Sequence, residues 1–299
     1  MQIKYGFKKE WFQFTRTFRL GGILLGIMSF SIADPLMYWA VNLMMNSMFT
    51  SGSIGVSPEV AMTEAMESFD NAGVIFGVTM AEFCSTSLLI VMLILMSPCG
   101  GEQKKRATII PSCAGLDTFS YLVPKFVLYP ATIFTVSFVS CCISGGLCNI
   151  LFENDKVDAG IVLLAAFMCA VFMAFYIVVY MSIGLCTSRP GLVTVIMYVG
   201  MSLVQIILSS LDLTKFHPLT LRSLVTGEMF MPGFVLSDNI ASIAVGILLS
   251  IVIGVMMFIL TVTVQKGTKI NNQVDKPEFR EKSRYIRPER NSFPGGFHY

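Results

Sequence analysis

The sequence predicts an all-α integral membrane protein with six transmembrane helices and an N-terminal interfacial amphipathic helix. Three observations carry this reading. Of 299 residues, 54% are apolar and only 13% are charged, against roughly 25% charged in an ordinary soluble domain. The apolar residues gather in runs of about 20 or more, the length that crosses ~30 Å of hydrocarbon. The basic residues alternate from one side of these runs to the other, as the positive-inside rule requires.

The six runs lie at about 21–45, 72–97, 126–150, 160–186, 190–210 and 239–265. They are apolar on every face, which suits lipid-embedded helices and excludes the alternating strands of a barrel. Eighteen of the 21 basic residues fall on one side of this arrangement. They include Lys4, Lys8, Lys9, Arg16 and Arg19 before the first run, Lys104, Lys105, Arg106 and Lys125 in the second connection, Arg189 in the fourth, and eight more after residue 265. The other side holds only Lys156, Lys215 and Arg222, and its first loop carries Glu59, Glu64, Glu67 and Asp70. The expected placement is therefore multi-pass in the cytoplasmic (inner) membrane, with both termini in the cytoplasm. Residues 1–265 form the six-span domain, and 266–299 a flexible basic cytoplasmic tail. The basic start followed by Ser31-Ile32-Ala33 is reminiscent of a cleavable leader. The apolar run continues past Asp34-Pro35 to about Met45, however, so a retained span is expected.

Residues 5–20 read as a helix lying on the membrane surface. Phe7, Trp11, Phe14 and Phe18 recur at steps of four, three and four, stacking aromatic side chains as a membrane-surface anchor, with Lys8, Lys9, Gln13 and Arg16 elsewhere on the wheel. The loop at 46–71 contains Ser57-Pro58-Glu59, a plausible helix start, followed by Met62, Met66 and Phe69 at helical spacing. Eight cysteines without a C-x-x-C pair, and only His217 and His298, propose neither a disulfide framework nor a metal site. A net charge of +2 gives no reason to expect nucleic acid.

Two carboxylates lie within the assigned spans, Asp34 and Glu82, with no Lys, Arg or His in any of the runs. Asp34 is 11 residues, about 16 Å, from the outer end of the first run, and Glu82 is 10 residues, about 15 Å, from that of the second. Their depths match. An ionised carboxylate there costs about 2.5–3.5 kcal/mol on insertion scales, so each must be protonated, hydrated or neutralised by a cation. Either the two acids face a translocation path and favour cationic or proton-linked cargo, or they are hydrogen-bonded to Ser, Thr or backbone groups between helices. Pro35 beside Asp34 removes one backbone hydrogen bond from the first span.

The second connection, Ser97 to Lys125, opens with Pro98 and the Gly100-Gly101 pair that end a span and contains Asp117, a suitable N-cap. Glu102, the cluster Lys104-Lys105-Arg106, Thr108, Pro111-Ser112 and Lys125 give it a pattern that resembles the permease subunits of ABC transporters of the ABC-2 class, as does Phe216-His217-Pro218-Leu219-Thr220-Leu221 before the sixth run. The resemblance implies that the second connection holds a cytoplasmic coupling helix contacting a separate ATPase subunit. It also implies a short helix that returns part-way into the membrane after residue 218. ATP and Mg would be bound by that partner and none by this chain, which has no G-x-x-x-x-G-K-[ST] run. The implied assembly pairs two permeases, identical or paralogous, with two ATPases in an exporter, and this chain itself is not an enzyme. The competing reading is an ion- or proton-coupled secondary transporter using Asp34 and Glu82. A membrane-embedded enzyme is disfavoured by spans without histidine.

Overall fold

In the computed structural model, residues 2–50, 71–101, 117–187, 189–210, 217–230 and 234–274 are described, and all of their regular structure is helical. Helix α1 (Gln2–Arg16) ends at Thr17–Phe18, where Phe18 takes a left-handed φ of 58° and turns the chain into α2 (Arg19–Thr50). The amphipathic helix thus stops four residues earlier than the aromatic spacing predicts. The second span is built in pieces. Helix α3 (Ala72–Glu82) passes through a π-helical turn (Phe83–Ser87) into α4 (Leu88–Met96), and a second π-helical turn follows (Ser97–Gly101). Then come α5 (Thr118–Leu151), α6 (Ala159–Cys186), α7 (Pro190–Ser210), the short α8 (Thr220–Thr226) with a 3-10 turn (Glu228–Phe230), and α9 (Leu236–Val274).

Six of these stretches are long and apolar enough to cross a membrane: Arg19–Met45, Ala72–Cys99, Thr118–Leu151, Ala159–Cys186, Pro190–Leu208 and Leu236–Lys266. The shortest, 19 residues, is about 29 Å long, enough for the hydrocarbon core. The chain is a multi-pass membrane protein. The third span starts at Thr118, eight residues before the apolar run suggests, so Lys125 lies inside a spanning helix. The reading that the spans hold no cation is corrected accordingly. Asp117 takes the N-cap position with extended backbone, although its side chain makes no capping hydrogen bond.

Burial sorts the spans into centre and rim. The most apolar windows of the second and fourth spans are 50% and 56% buried, those of the fifth and sixth only 17%. Helices α5 and α6 form the most extensive helix pair, with α2 and α3 against α5, α7 against α4 and α6, and α9 against α6. Hydrogen bonds tie the rim to the centre. The Tyr180 hydroxyl donates to the Met92 carbonyl (3.0 Å) and lies 2.9 Å from Thr194 Oγ1, and Tyr176 donates to the Met197 carbonyl. On the side away from α1, the Asn71 side chain caps α3 by accepting from the Gly73 and Val74 N–H groups and donates to Asp155 at 2.6 Å.

Lipid is as apolar as leucine, so membrane helices associate through close packing, and small residues permit it. Gly145 of α5 is such a position: a Cβ there would stand 2.5 Å from Val162 Cγ1 of α6 and 3.3 Å from Phe76 of α3. At neighbouring Gly146 a Cβ would meet nothing within 4 Å. Gly145→Leu is expected to destabilise the protein by about 1–3 kcal/mol, Val162→Ala to recover part of that loss, and Gly146→Leu to be neutral, as read by thermal unfolding in detergent.

Candidate functional site

Helix α1 docks by one face onto the start of the third span. Gly6, Glu10 and Phe14, spaced by four, are its buried positions. At Gly6 a Cβ would stand 2.3 Å from the Ser120 carbonyl oxygen, so only glycine lets α1 lie this close to α5. Phe14, expected among the surface anchors, is fully buried with its ring edge-on to Tyr129, centroids 5.3 Å apart. The reason is rotational: the aromatic arc is wide, and its Phe14 side is also the side that carries Gly6 and Glu10. Trp11 and Phe18 are exposed and Phe7 is half-buried.

This docking delivers a carboxylate to a buried cation. Lys125 is wholly buried and Glu10 nearly so, with Lys125 Nζ 3.6 Å from Glu10 Oε1. Lys125 also donates to the Pro98 carbonyl at 2.9 Å and lies 4.8 Å above the Tyr121 ring. The Tyr129 hydroxyl donates to Glu10 Oε2 at 3.4 Å and accepts from Arg19 Nη1 at 2.9 Å, and Arg19 Nη2 donates to Ser97 Oγ at 3.3 Å. A buried charge is tolerated only when paired and hydrogen-bonded. Here the partners come from α1, the end of the second span and the start of the third. Ser97 and Pro98 are one root of the second connection, and Lys125 is the other. Glu102, Lys104, Lys105, Arg106, Thr108, Pro111 and Ser112, the predicted coupling residues, lie outside the described residues, as does the predicted surface helix near 57–69.

The two intramembrane acids come together. Asp34 of α2 is buried, and its carboxyl group interacts directly with that of Glu82 at the end of α3. The Tyr38 hydroxyl, one turn along α2 from Asp34, donates to Glu82 Oε1 at 3.1 Å. Asp34 Oδ2 is buried without a hydrogen-bond partner. Both acids sit where helix regularity fails. Pro35 follows Asp34 and lacks an N–H, so the Ser31 carbonyl loses its usual donor. Glu82 is the residue from which the Phe83–Ser87 π-helical turn departs, an irregularity often found at functional sites. Carboxylates this close repel each other when ionised, and a proton or cation between them relieves the repulsion. Tyr38 was not anticipated, although its i+4 spacing from Asp34 places both on one face of the first span. Ser137, Ser140 and Ser144, on one face of α5, and Ser87 in the π-helical turn also carry buried hydroxyls without partners. The 137/140/144 spacing was the available signal for them.

A third polar group enters from the side away from α1. Helix α8 packs among α3, α6 and α9 with Leu221, Leu224 and Val225 buried. Arg222, counted from sequence as a loop residue, is half-buried there and donates from Nη1 to Gln205 Oε1 of α7 at 2.6 Å, while its Nε is buried without a partner. At the head of this segment His217 Nδ1 accepts from the Leu219 N–H at 3.2 Å, and burial holds the imidazole below its ordinary pKa, which keeps it neutral and able to accept.

No protein-family model, curated protein or solved structure matches the chain. The fold and its polar groups define a six-span membrane protein with a docked amphipathic helix, an acid pair within the membrane and a charged lock at the roots of one connection.

The lock makes a measurable claim. Glu10→Gln or Lys125→Met alone leaves the other partner buried with its countercharge gone and is expected to cost about 3–5 kcal/mol. The double variant should cost no more than the worse single one, so that in a double-mutant cycle of unfolding its loss falls short of the sum of the two single losses by at least the smaller of them.

Proposed function

We propose that the chain is the permease subunit of an ATP-driven ABC transporter of the ABC-2 type, working as an exporter in the cytoplasmic membrane. Two permeases, identical or paralogous, would pair with two separate ATPase subunits that bind ATP and Mg. The basic side, with α1 and both termini, faces the cytoplasm in this reading, as the distribution of Lys and Arg supports. The observation that carries the proposal is the lock around Lys125. It joins α1, the end of the second span and the start of the third, so a push on the residues between 101 and 117 is transmitted to two spans together. That is the mechanical property a coupling element needs, because a rigid link turns ATPase closure into movement of spans. The sequence pattern Glu102, Lys104 to Arg106, Thr108 and Pro111-Ser112 lies between these roots and supplies charged groups for contact with the partner.

The contact of Asp34, Glu82 and Tyr38 favours a second reading, a proton- or cation-coupled secondary transporter. In the first reading the acid pair lines the cargo path. In the second it binds the coupling ion.

Purification from native membranes in mild detergent separates the two. The ATP-driven reading expects a Walker-motif ATPase to co-purify, and expects Lys104, Lys105 and Arg106 replaced together by alanine to release it without changing the melting temperature of the permease. A chain that purifies without an ATPase and dissipates an imposed pH gradient in vesicles without nucleotide, with that flux lost in Glu82→Gln, would replace the first reading by the second.

A further inference from the structure

An apolar crevice lies away from both polar sites, between α5, α6 and α9. Its volume is about 430 Å³, within the ~300–1,000 Å³ range of ligand sites. Its walls include Val127 and Phe134 of α5, Val171 and Val178 of α6, and Gly254 and Phe258 of α9. The single polar side chain of the lining, Ser250, donates its hydroxyl back to the Gly246 carbonyl at 2.7 Å. A ligand here therefore meets hydrocarbon alone and needs no hydrogen-bonding groups.

Length and position select the occupant. Along α5 the lining runs from Val123 to Phe134, 11 residues or about 16 Å; along α9 it runs from Ser250 to Phe258, eight residues or about 12 Å. One leaflet of a ~30 Å hydrocarbon core is about 15 Å deep. The crevice is open along this length, with Val127, Ile251 and Val255 half or more exposed. It ends towards the α1 side of the bundle, where Phe258 packs edge-on to Phe126 (5.0 Å) and Phe119 (6.0 Å). Beyond this aromatic mouth the charge is positive. Lys266 is exposed eight residues past Phe258 on α9, about 12 Å further along. Lys9 lies 4.6 Å over the ring of Tyr121, which packs beside the same cluster. Glu10, next to Lys9 in the chain, is shared between Lys125 at 3.6 Å and Lys9 at 4.0 Å. Apolar walls one leaflet deep, leading to the exposed Lys266 and the half-buried Lys9 at the level of the headgroups, match an anionic phospholipid.

We propose that the crevice between α5, α6 and α9 is a binding site for one acyl chain of an anionic glycerophospholipid from the leaflet on the α1 side, with its phosphate at Lys266 and Lys9. The site is independent of the transport reading, because its walls use none of the acid pair, Lys125 or Arg222; only Lys9 borders the lock, through Glu10 and Tyr121.

The glycine in its wall gives the test. A Cβ at Gly254 would meet only Val178 Cγ1, at an ordinary 3.7 Å, so a leucine there enters the crevice without disturbing backbone. The full chain is reconstituted in bilayers with a phosphatidylglycerol or a phosphatidylcholine carrying a diazirine midway along one acyl chain, then photolysed and mapped by mass spectrometry. Label is expected in the segments 123–134, 171–178 and 250–258, more from phosphatidylglycerol, and Lys266→Glu should abolish that preference while leaving chain labelling. Gly254→Leu should lower labelling about tenfold, the affinity equivalent of two methylene groups no longer buried. Val127→Trp, at an exposed position, serves the same purpose if Gly254→Leu does not fold. Label spread evenly over the outward faces of α7 and α9 and unchanged in both variants would overturn the proposal. A preference that survives Lys266→Glu would overturn the assigned headgroup contact.

Discussion

A buried ion pair holds this molecule's most unusual joint. Lys125 has no access to water, and a lone ammonium in that position would be costly enough to expel the helix end from the bundle. Glu10 resolves the conflict from a different element, and the Pro98 carbonyl and the Tyr121 ring complete the environment. The consequence is structural before it is functional. Helix α1 cannot drift over the membrane surface as a free amphipathic helix would, because its carboxylate is the counterion of a spanning helix. The same pair also restrains the residues flanking the second connection, so that α1 and parts of two spans behave as one body.

Away from the lock, ionisable side chains gather at the Asp34–Glu82 pair and at Arg222, each only partly satisfied by its neighbours. The Asp34–Glu82 pair sits where α2 has a proline and the second span has a π-helical turn, so unpaired backbone carbonyls and carboxyl groups share a depth. Arg222 arrives from α8, on the side away from α1, and is held by Gln205 of the fifth span. Buried polar groups thus lie on the first, second, third and fifth spans and α8, while α9 exposes many large apolar side chains. The acid pair and the apolar crevice are therefore separated within one small bundle.

Much of this was legible in the sequence because span length and apolarity are set by the thickness of the bilayer. All six spans follow from that single constraint, and the depth arithmetic put Asp34 and Glu82 at one level, so that they could meet if the first two spans are neighbours. What escaped depends on partners distant in the chain. Lys125 reads as the end of a loop because its counterion lies 115 residues earlier, and hydropathy cannot see a pair. Phe14 reads as a membrane anchor because an aromatic stripe looks alike whether it faces lipid or protein; the Gly6–Glu10–Phe14 spacing identifies the buried face only once Glu10 has a reason to be inside. Arg222 reads as a loop cation because α8 is only seven residues long and is held by packing rather than by its own periodicity. The π-helical turns leave no mark that residue preference records.

Hydrogen exchange of residues 6–14 in bilayers tests the joint most directly. If the Glu10–Lys125 pair clamps α1 to the third span, these amides exchange as slowly as those at the start of α5, and Lys125→Met accelerates both segments together. Rapid exchange of α1 in the unaltered protein, or protection that survives Lys125→Met, would mean that α1 is held by lipid alone and that the clamp does not exist.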